Sequence, residues 1–230
     1  NERFIDPFFN VKKSDEAKRN FGMIGENKII IVGYGYFGGT VGRLLKSNGI
    51  SATILDHDSD RVSLLRDKGL KVFYGDATRN ELLRVAGAET AEILVLCLDS
   101  PESNFQIIQL AKKNYPHLKI FVRARNRMDT YDFLSKGVDN IYRETLGTAV
   151  DMGADILHAV GMRKYTARRI ANRFETLDKM SIRKFEKERS KHAATFTIRD
   201  ALEHEAQLMK EDEVLFTADN WIDRYSPKKV

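Results

Sequence analysis

From residue 28 onward the sequence alternates two patterns: a short run rich in β-branched residues, then a longer stretch with apolar positions three and four apart. The runs are "KIIIVG" (28–33), "SATILD" (51–56), "KVFYGD" (71–76), "EILVLCL" (92–98), "KIFVRAR" (119–125) and "NIYRE" (140–144). Between them, Val62, Leu64 and Leu65 in one stretch, and Phe105, Ile108 and Ala111 in another, keep helical spacing. Gly49, Gly69, Gly87 and Gly137 stand where those helices should stop and the backbone turns left-handed. Asp58 and Ser100–Pro101 stand where helices should start. Strands separated by helices cannot be hairpins. They require crossovers, and therefore a parallel sheet covered on both faces.

The first run ends in "GYGYFG", where Gly33, Gly35 and Gly38 match G-x-G-x-x-G. Three glycines alone are a weak motif. A preceding strand, a following helix and Asp56 at the end of the next strand give the motif its context. Gly33 permits the tight turn and Gly35 lets the backbone come close to a phosphate. Gly38, with Gly42 one turn on, lets helix and strand pack closely. Free amides near Phe37 and Gly38 then face an anion at the helix start, with Tyr34 inside the same loop. Asp56 is placed to accept from ribose hydroxyls, and its charge disfavours a 2′-phosphate, which favours AMP or NAD(H) over NADP(H). His57 and Arg61 flank that position. Asp76 and Ala77, after the third strand, are candidates for adenine contact, although Asp76 or Thr78 serves equally well to cap the next helix. Leu98, Asp99 and Ser100 border the same crevice from the fourth strand.

These features predict an α/β fold, a Rossmann-like doubly wound six-stranded parallel sheet over 28–145. After Glu144 the pattern becomes helical. "TLGTAVDMGADILHAVG" (145–161) is apolar with small residues, and the segment 164–192 is long and charged, with Ile170, Phe174 and Leu177 in one narrow stripe and Ile182 and Phe185 further along. Such a stripe must lie against another surface. Residues 198–210 read as a further helix before a weak tail, and residues 1–27 as a linker or docking segment. Residues 161–192 are basic and 200–230 acidic, which suggests self-association or docking of one on the other.

The remaining composition narrows the class. The longest apolar run, "ILVLCL" (93–98), is far shorter than the roughly 20 residues that cross a bilayer. The first residues are polar and mixed in charge, unlike a secretory leader. A single cysteine, Cys97, excludes an internal disulfide framework, fits a reducing compartment and reads as a small buried hydrophobe. The chain itself is expected to be soluble and cytoplasmic, and a first residue other than Met leaves room for a larger membrane protein. Glu175, Asp178, Glu186 and Glu188 interrupt the basic helix and argue against nucleic acid as a partner. An NAD-dependent oxidoreductase is the alternative reading, but it needs an acid/base group near the nicotinamide. Tyr115 and Lys119 form a Y-x-x-x-K pair that Pro116 breaks. His57, His117, His158, His192 and His204 are scattered, and no metal-ligand spacing is present.

Taken in order, "IIIVGYGYFGGTVGRLL", "TILDHD", "VFYGDAT", "LRVAGAETAEILVL" and "YRET" resemble the regulatory KTN/RCK domain of potassium transport proteins, and more narrowly the cytoplasmic domain of glutathione-gated Kef-type potassium efflux systems. The resemblance covers about 25–190. It implies a homodimer built through a C-terminal helical dimerisation arm (146–192), followed by a C-terminal helix and tail (193–230). It further implies a site for AMP or NAD(H) on Gly33 to Gly38, Asp56, Asp76 and Ala77, and no enzymatic activity. The domain would gate a membrane transport domain that exchanges potassium for protons at the inner membrane, with a flavodoxin-like ancillary subunit as a further partner. Glutathione or its adducts would act as regulatory ligand at the dimer interface. By position that site falls on Arg43 and Arg143, with Arg125 and Arg123 as further candidates and Asn172 or Asp178 supplying a polar contact from the long helix. Guanidinium forks suit the two carboxylates of glutathione, whereas an Asp at 178 is a poor neighbour for them.

Overall fold

The computed structural model describes residues 27–191 and positions 203, 206, 207 and 210. The expected N-terminal segment, C-terminal helix and acidic tail therefore lie outside the described residues, apart from Asn27 and those four positions. Six strands, β1 (Ile29–Val32), β2 (Thr53–Asp56), β3 (Val72–Tyr74), β4 (Ile93–Leu96), β5 (Lys119–Ala124) and β6 (Asn140–Arg143), form one sheet. Every neighbouring pair is parallel, in the order β3-β2-β1-β4-β5-β6. The chain winds outward one way from β1 and the other way from β4. A crevice must open above their carboxyl ends, where adjacent crossovers diverge to opposite faces.

Helices α1 (Tyr36–Ser47), α2 (Ser59–Asp67), α3 (Asn80–Val85), α4 (Pro101–Asn114) and α5 (Arg127–Ser135) make the crossovers. Their ends follow the sequence chemistry. The Asp58 side chain accepts from the Asp60 and Arg61 amides, and Ser100 Oγ accepts from the Ser103 amide. Gly49, Gly69, Gly87 and Gly137 all have positive φ, between 71° and 95°. Ile30, Ile31, Leu55, Leu94 and Leu96 are fully buried in the sheet, and Ile107, Ile108 and Phe133 close over it from α4 and α5. Leu64, in contrast, faces outward on α2, because Val62 and Leu65 already fill the side that meets β2 and β3.

After β6 come α6 (Leu146–Ala159) and the long α7 (Lys164–Lys191). Part of the surface that the α7 stripe needs is supplied within this chain. Phe174 and Ala171 pack on Leu146, Val150 and Ala154 of α6. Ile182 is 3% exposed, and Phe185 lies 5.0 Å from the Tyr131 ring of α5. The short turn at Gly161 folds α7 back onto α6 and α5, and Ile170, Phe174 and Leu177 are left half-buried. The apolar row left outside is on α6 instead: Met152, Ile156 and Val160, each four residues apart and 54–76% exposed. Among the described residues no helix is long and apolar enough to cross a membrane.

Candidate functional site: a nucleotide crevice at the strand ends

Gly33 leaves β1 with φ +84°, and a side chain there would press on Leu98 and the Cys97 carbonyl. This is the tight turn. At Gly38 an added Cβ would sit 2.0 Å from the Gly33 oxygen, so only a glycine lets α1 start this close to β1. Around Gly35 nothing lies within 4 Å of the Cβ direction, and this residue is the N-cap of α1, with no side chain closing the helix end. The first intrahelical bond runs from the Gly39 amide to the Gly35 carbonyl at 2.8 Å. Amides earlier in the turn thus have no intrahelical acceptor and are available to an anion.

Asp56 ends β2 with its side chain 1% exposed. Its Oδ2 accepts from the Tyr34 amide at 2.7 Å and its Oδ1 from the Asp58 amide at 2.9 Å. Arg61 Nη1 donates to both oxygens at 3.0–3.2 Å. Burial would raise this carboxyl, but the two amides and Arg61 outweigh it and hold it below its ordinary value. Arg61, expected to flank this position, is thus bonded directly to the carboxylate. Tyr34 is corrected. Its ring sits among Ile54, Val62 and Leu65, against Gly42, where an added Cβ would meet it at 2.4 Å. Gly42 thus makes room for Tyr34 rather than for the strand, and only the backbone of Tyr34 serves the site.

The crevice has a volume of about 770 Å3, and Gly33, Gly35, Phe37, Asp56, His57, Arg61, Asp76, Ala77 and Leu98 all line it. The sequence-predicted set is brought together, with Gly38 packed beneath it. The Asp76 carboxylate accepts from the Thr78 amide and hydroxyl at 2.9 and 2.8 Å. It stiffens its own turn while bordering the crevice, and the N-cap position of α3 falls to Arg79, with no side-chain cap. Cys97 lies at the crevice floor, where burial pushes its thiol up to about 12, and it stays a thiol at neutral pH.

Arg123 closes the far end, and the sequence had pointed it elsewhere. Its side chain is 11% exposed, bonded to Asp99 at 2.6 Å and to Glu144, with the Phe37 ring 5.6 Å away. It belongs to the nucleotide crevice and not to an interface site. Arg125, just after β5, spends its guanidinium on Asp129 in the first turn of α5 at 3.1 Å. Arg43 and Asn172 are exposed, on α1 and α7. Arg143 and Asp178 do meet, as an ion pair, and Arg127 joins them on the other carboxylate oxygen. Sequence reasoning missed Arg127, the third arginine of "RARNR", because nothing local shows which one α7 will reach. Tyr115 follows the end of α4 and is buried, while Lys119 begins β5 at the sheet edge opposite the crevice. That Y-x-x-x-K pair shares no helix face.

A doubly wound sheet with a glycine-floored crevice at its switch point is the architecture of a dinucleotide-type fold. Residues 29–144 match the sequence model of the TrkA-N domain, and residues 148–220 that of the potassium efflux system KefB C-terminal domain. Among solved structures, the Shewanella denitrificans Kef CTD in AMP-bound form is 41% identical, over 69% of this chain and 98% of that one, with a TM-score of 0.65. Two others share the fold at lower identity. The TrkA-N domain of the Escherichia coli inner membrane protein ybaL is 24% identical over 56% of this chain and 96% of its own (TM-score 0.53). The GsuK channel bound to NAD is 18% identical over 56% of this chain and 24% of its own (TM-score 0.52). The chain belongs to the TrkA-N family, as a KTN/RCK regulatory domain of the Kef potassium-efflux type.

Proposed function

We propose that this domain holds AMP or NAD(H) in the crevice and controls potassium efflux by a membrane transport domain, as a sensor and not as an enzyme. One observation carries the nucleotide reading. The uncapped start of α1, Asp56 with Arg61, and Asp76–Ala77 converge on a single cavity of about 770 Å3, within the size range of small-molecule sites. The residues fit the ligand: amides and the helix dipole for the phosphate, Asp56 and Arg61 around the ribose, and the Asp76–Ala77 turn at the base. The AMP in the Shewanella relative supports the same reading. Thermal melts with AMP, NADH and NADPH test it. AMP and NADH should raise Tm, because a ligand at 100 times its Kd adds about 2.7 kcal/mol. No shift with either would overturn the reading.

The regulatory ligand we propose is glutathione or its adducts. Arg143 supports this: it borders a second cavity of about 430 Å3, together with Lys179 and Arg183. Arg43 is offered to a second chain from α1, and the apolar row on α6 supports pairing into a homodimer. A ligand that prefers one dimer arrangement would shift the gate by its difference in affinity.

A further inference from the structure

The Asp56 side chain is 1% exposed, and a buried carboxylate without partners is costly. A carboxylate offers about four acceptor positions. Here they are all taken. The amides of Tyr34 and Asp58 fill two, and Arg61 Nη1 fills the others, reaching Oδ1 at 3.2 Å and Oδ2 at 3.0 Å. His57 Nδ1 stands off at 4.0 Å. The two amides are fixed by the glycine loop and the start of α2, whereas the Arg61 side chain is 37% exposed and lines the crevice. Arg61 also has a second anchor. Asp58 caps α2 through Oδ1, which leaves its Oδ2 to the guanidinium, 3.0 Å from Nη2.

We infer that Arg61 is a stand-in for the ribose diol: its Nη1 holds the two acceptor positions on Asp56 that the hydroxyls need, and a nucleotide binds by exchanging with it. This rests on the nucleotide reading of the crevice. The exchange leaves no buried charge alone. Two hydroxyls replace Nη1 on Asp56, and Arg61 stays neutralised through Nη2 on the partly exposed Asp58. The fraction of time that Arg61 spends on Asp56 lowers the apparent affinity for nucleotide by that fraction. Arg61 is thus a positioning residue that sets the affinity of the site through Asp56.

Net charge and the exchange predict opposite signs. Arg61→Met keeps the stem and removes a positive charge, which by charge alone weakens the binding of anionic AMP. By exchange it removes the competitor, so AMP should bind several-fold tighter. Asp58→Asn keeps the Oδ1 cap and removes a negative charge, which by charge alone tightens AMP. By exchange it takes away the second anchor and commits Arg61 to Asp56, so AMP should bind several-fold weaker. In the double variant that loss should vanish. 2′-Deoxy-AMP has one hydroxyl to offer and should gain less from Arg61→Met than AMP does. Calorimetric titration of the full chain with AMP and 2′-deoxy-AMP, with thermal melts in parallel, reads every arm. AMP binding by wild type with equal or weaker binding by Arg61→Met overturns the inference and leaves the nucleotide reading standing. An equal gain for 2′-deoxy-AMP also overturns it, since the gain then does not pass through Asp56. Silence from wild type and Arg61→Met alike removes the nucleotide reading and this inference together. Should Arg61→Met fail to fold, Asp58→Asn decides, since unchanged or tighter binding contradicts the exchange.

Discussion

Two glycines of one turn, Gly35 and Gly38, separate folding from binding at the level of single atoms. A methyl group on Gly38 would meet the Gly33 carbonyl at 2.0 Å, and backbone cannot yield cheaply. Gly38→Ala should cost about 3 kcal/mol or prevent folding. Gly35→Ala meets nothing, so its ligand-free melt should stay near wild type. The methyl would stand at the open start of α1, and the AMP-induced rise in Tm should shrink or vanish. Paired melts with and without AMP distinguish the two. Asp56 makes a pH prediction. Its folded-state carboxyl titrates below the ordinary 3.8, so its contribution is complete above that value and is lost as pH falls through the lower folded-state value. Asp56→Asn should lower stability at pH 7 by about 1–3 kcal/mol and flatten the acid limb of a denaturation curve measured from pH 6 to 2. The sequence placed Asp56 at the strand end correctly. It could not show that Arg61 and two amides saturate the carboxylate, because those partners come together only when β2, α2 and the glycine loop close on one another.

At the scale of elements, helix ends were the most legible feature, since a cap is a local matter of φ and one side-chain oxygen. Ser100, Asp58 and the four left-handed glycines all fall where local chemistry puts them. Periodicity shows that a helix has an apolar side, but not what covers it. For Ala171, Phe174 and Phe185 of α7 the cover comes from α6 and α5 of the same chain, which spacing along one helix does not show. The consequence for assembly falls on α6. Ile156→Glu, in the middle of the exposed Met152–Val160 row, should convert a dimer to monomers by light scattering while the thermal unfolding of the nucleotide domain stays unchanged. A dimer that survives this charge pairs through some other face.

At the scale of the whole molecule, two of the cavities border the end of one short edge strand. The glycine loop after β1, with Asp56 and Asp76, made the first of them legible in the sequence. The second depends on how a long charged helix lies against the sheet edge, which brings Glu175, Lys179 and Arg183 to Asp139 and Arg143, residues far apart in the chain. Where β6 ends, Arg143 turns to the arm and Glu144, the next residue, turns to Arg123 in the crevice. The Glu144 amide continues the ladder with a 2.9 Å bond to the Ala124 carbonyl. That single peptide hydrogen therefore sits between the crevice and the arm and belongs to neither. Its exchange with deuterium becomes a reporter on the crevice: AMP should slow it by tightening Arg123 on Glu144.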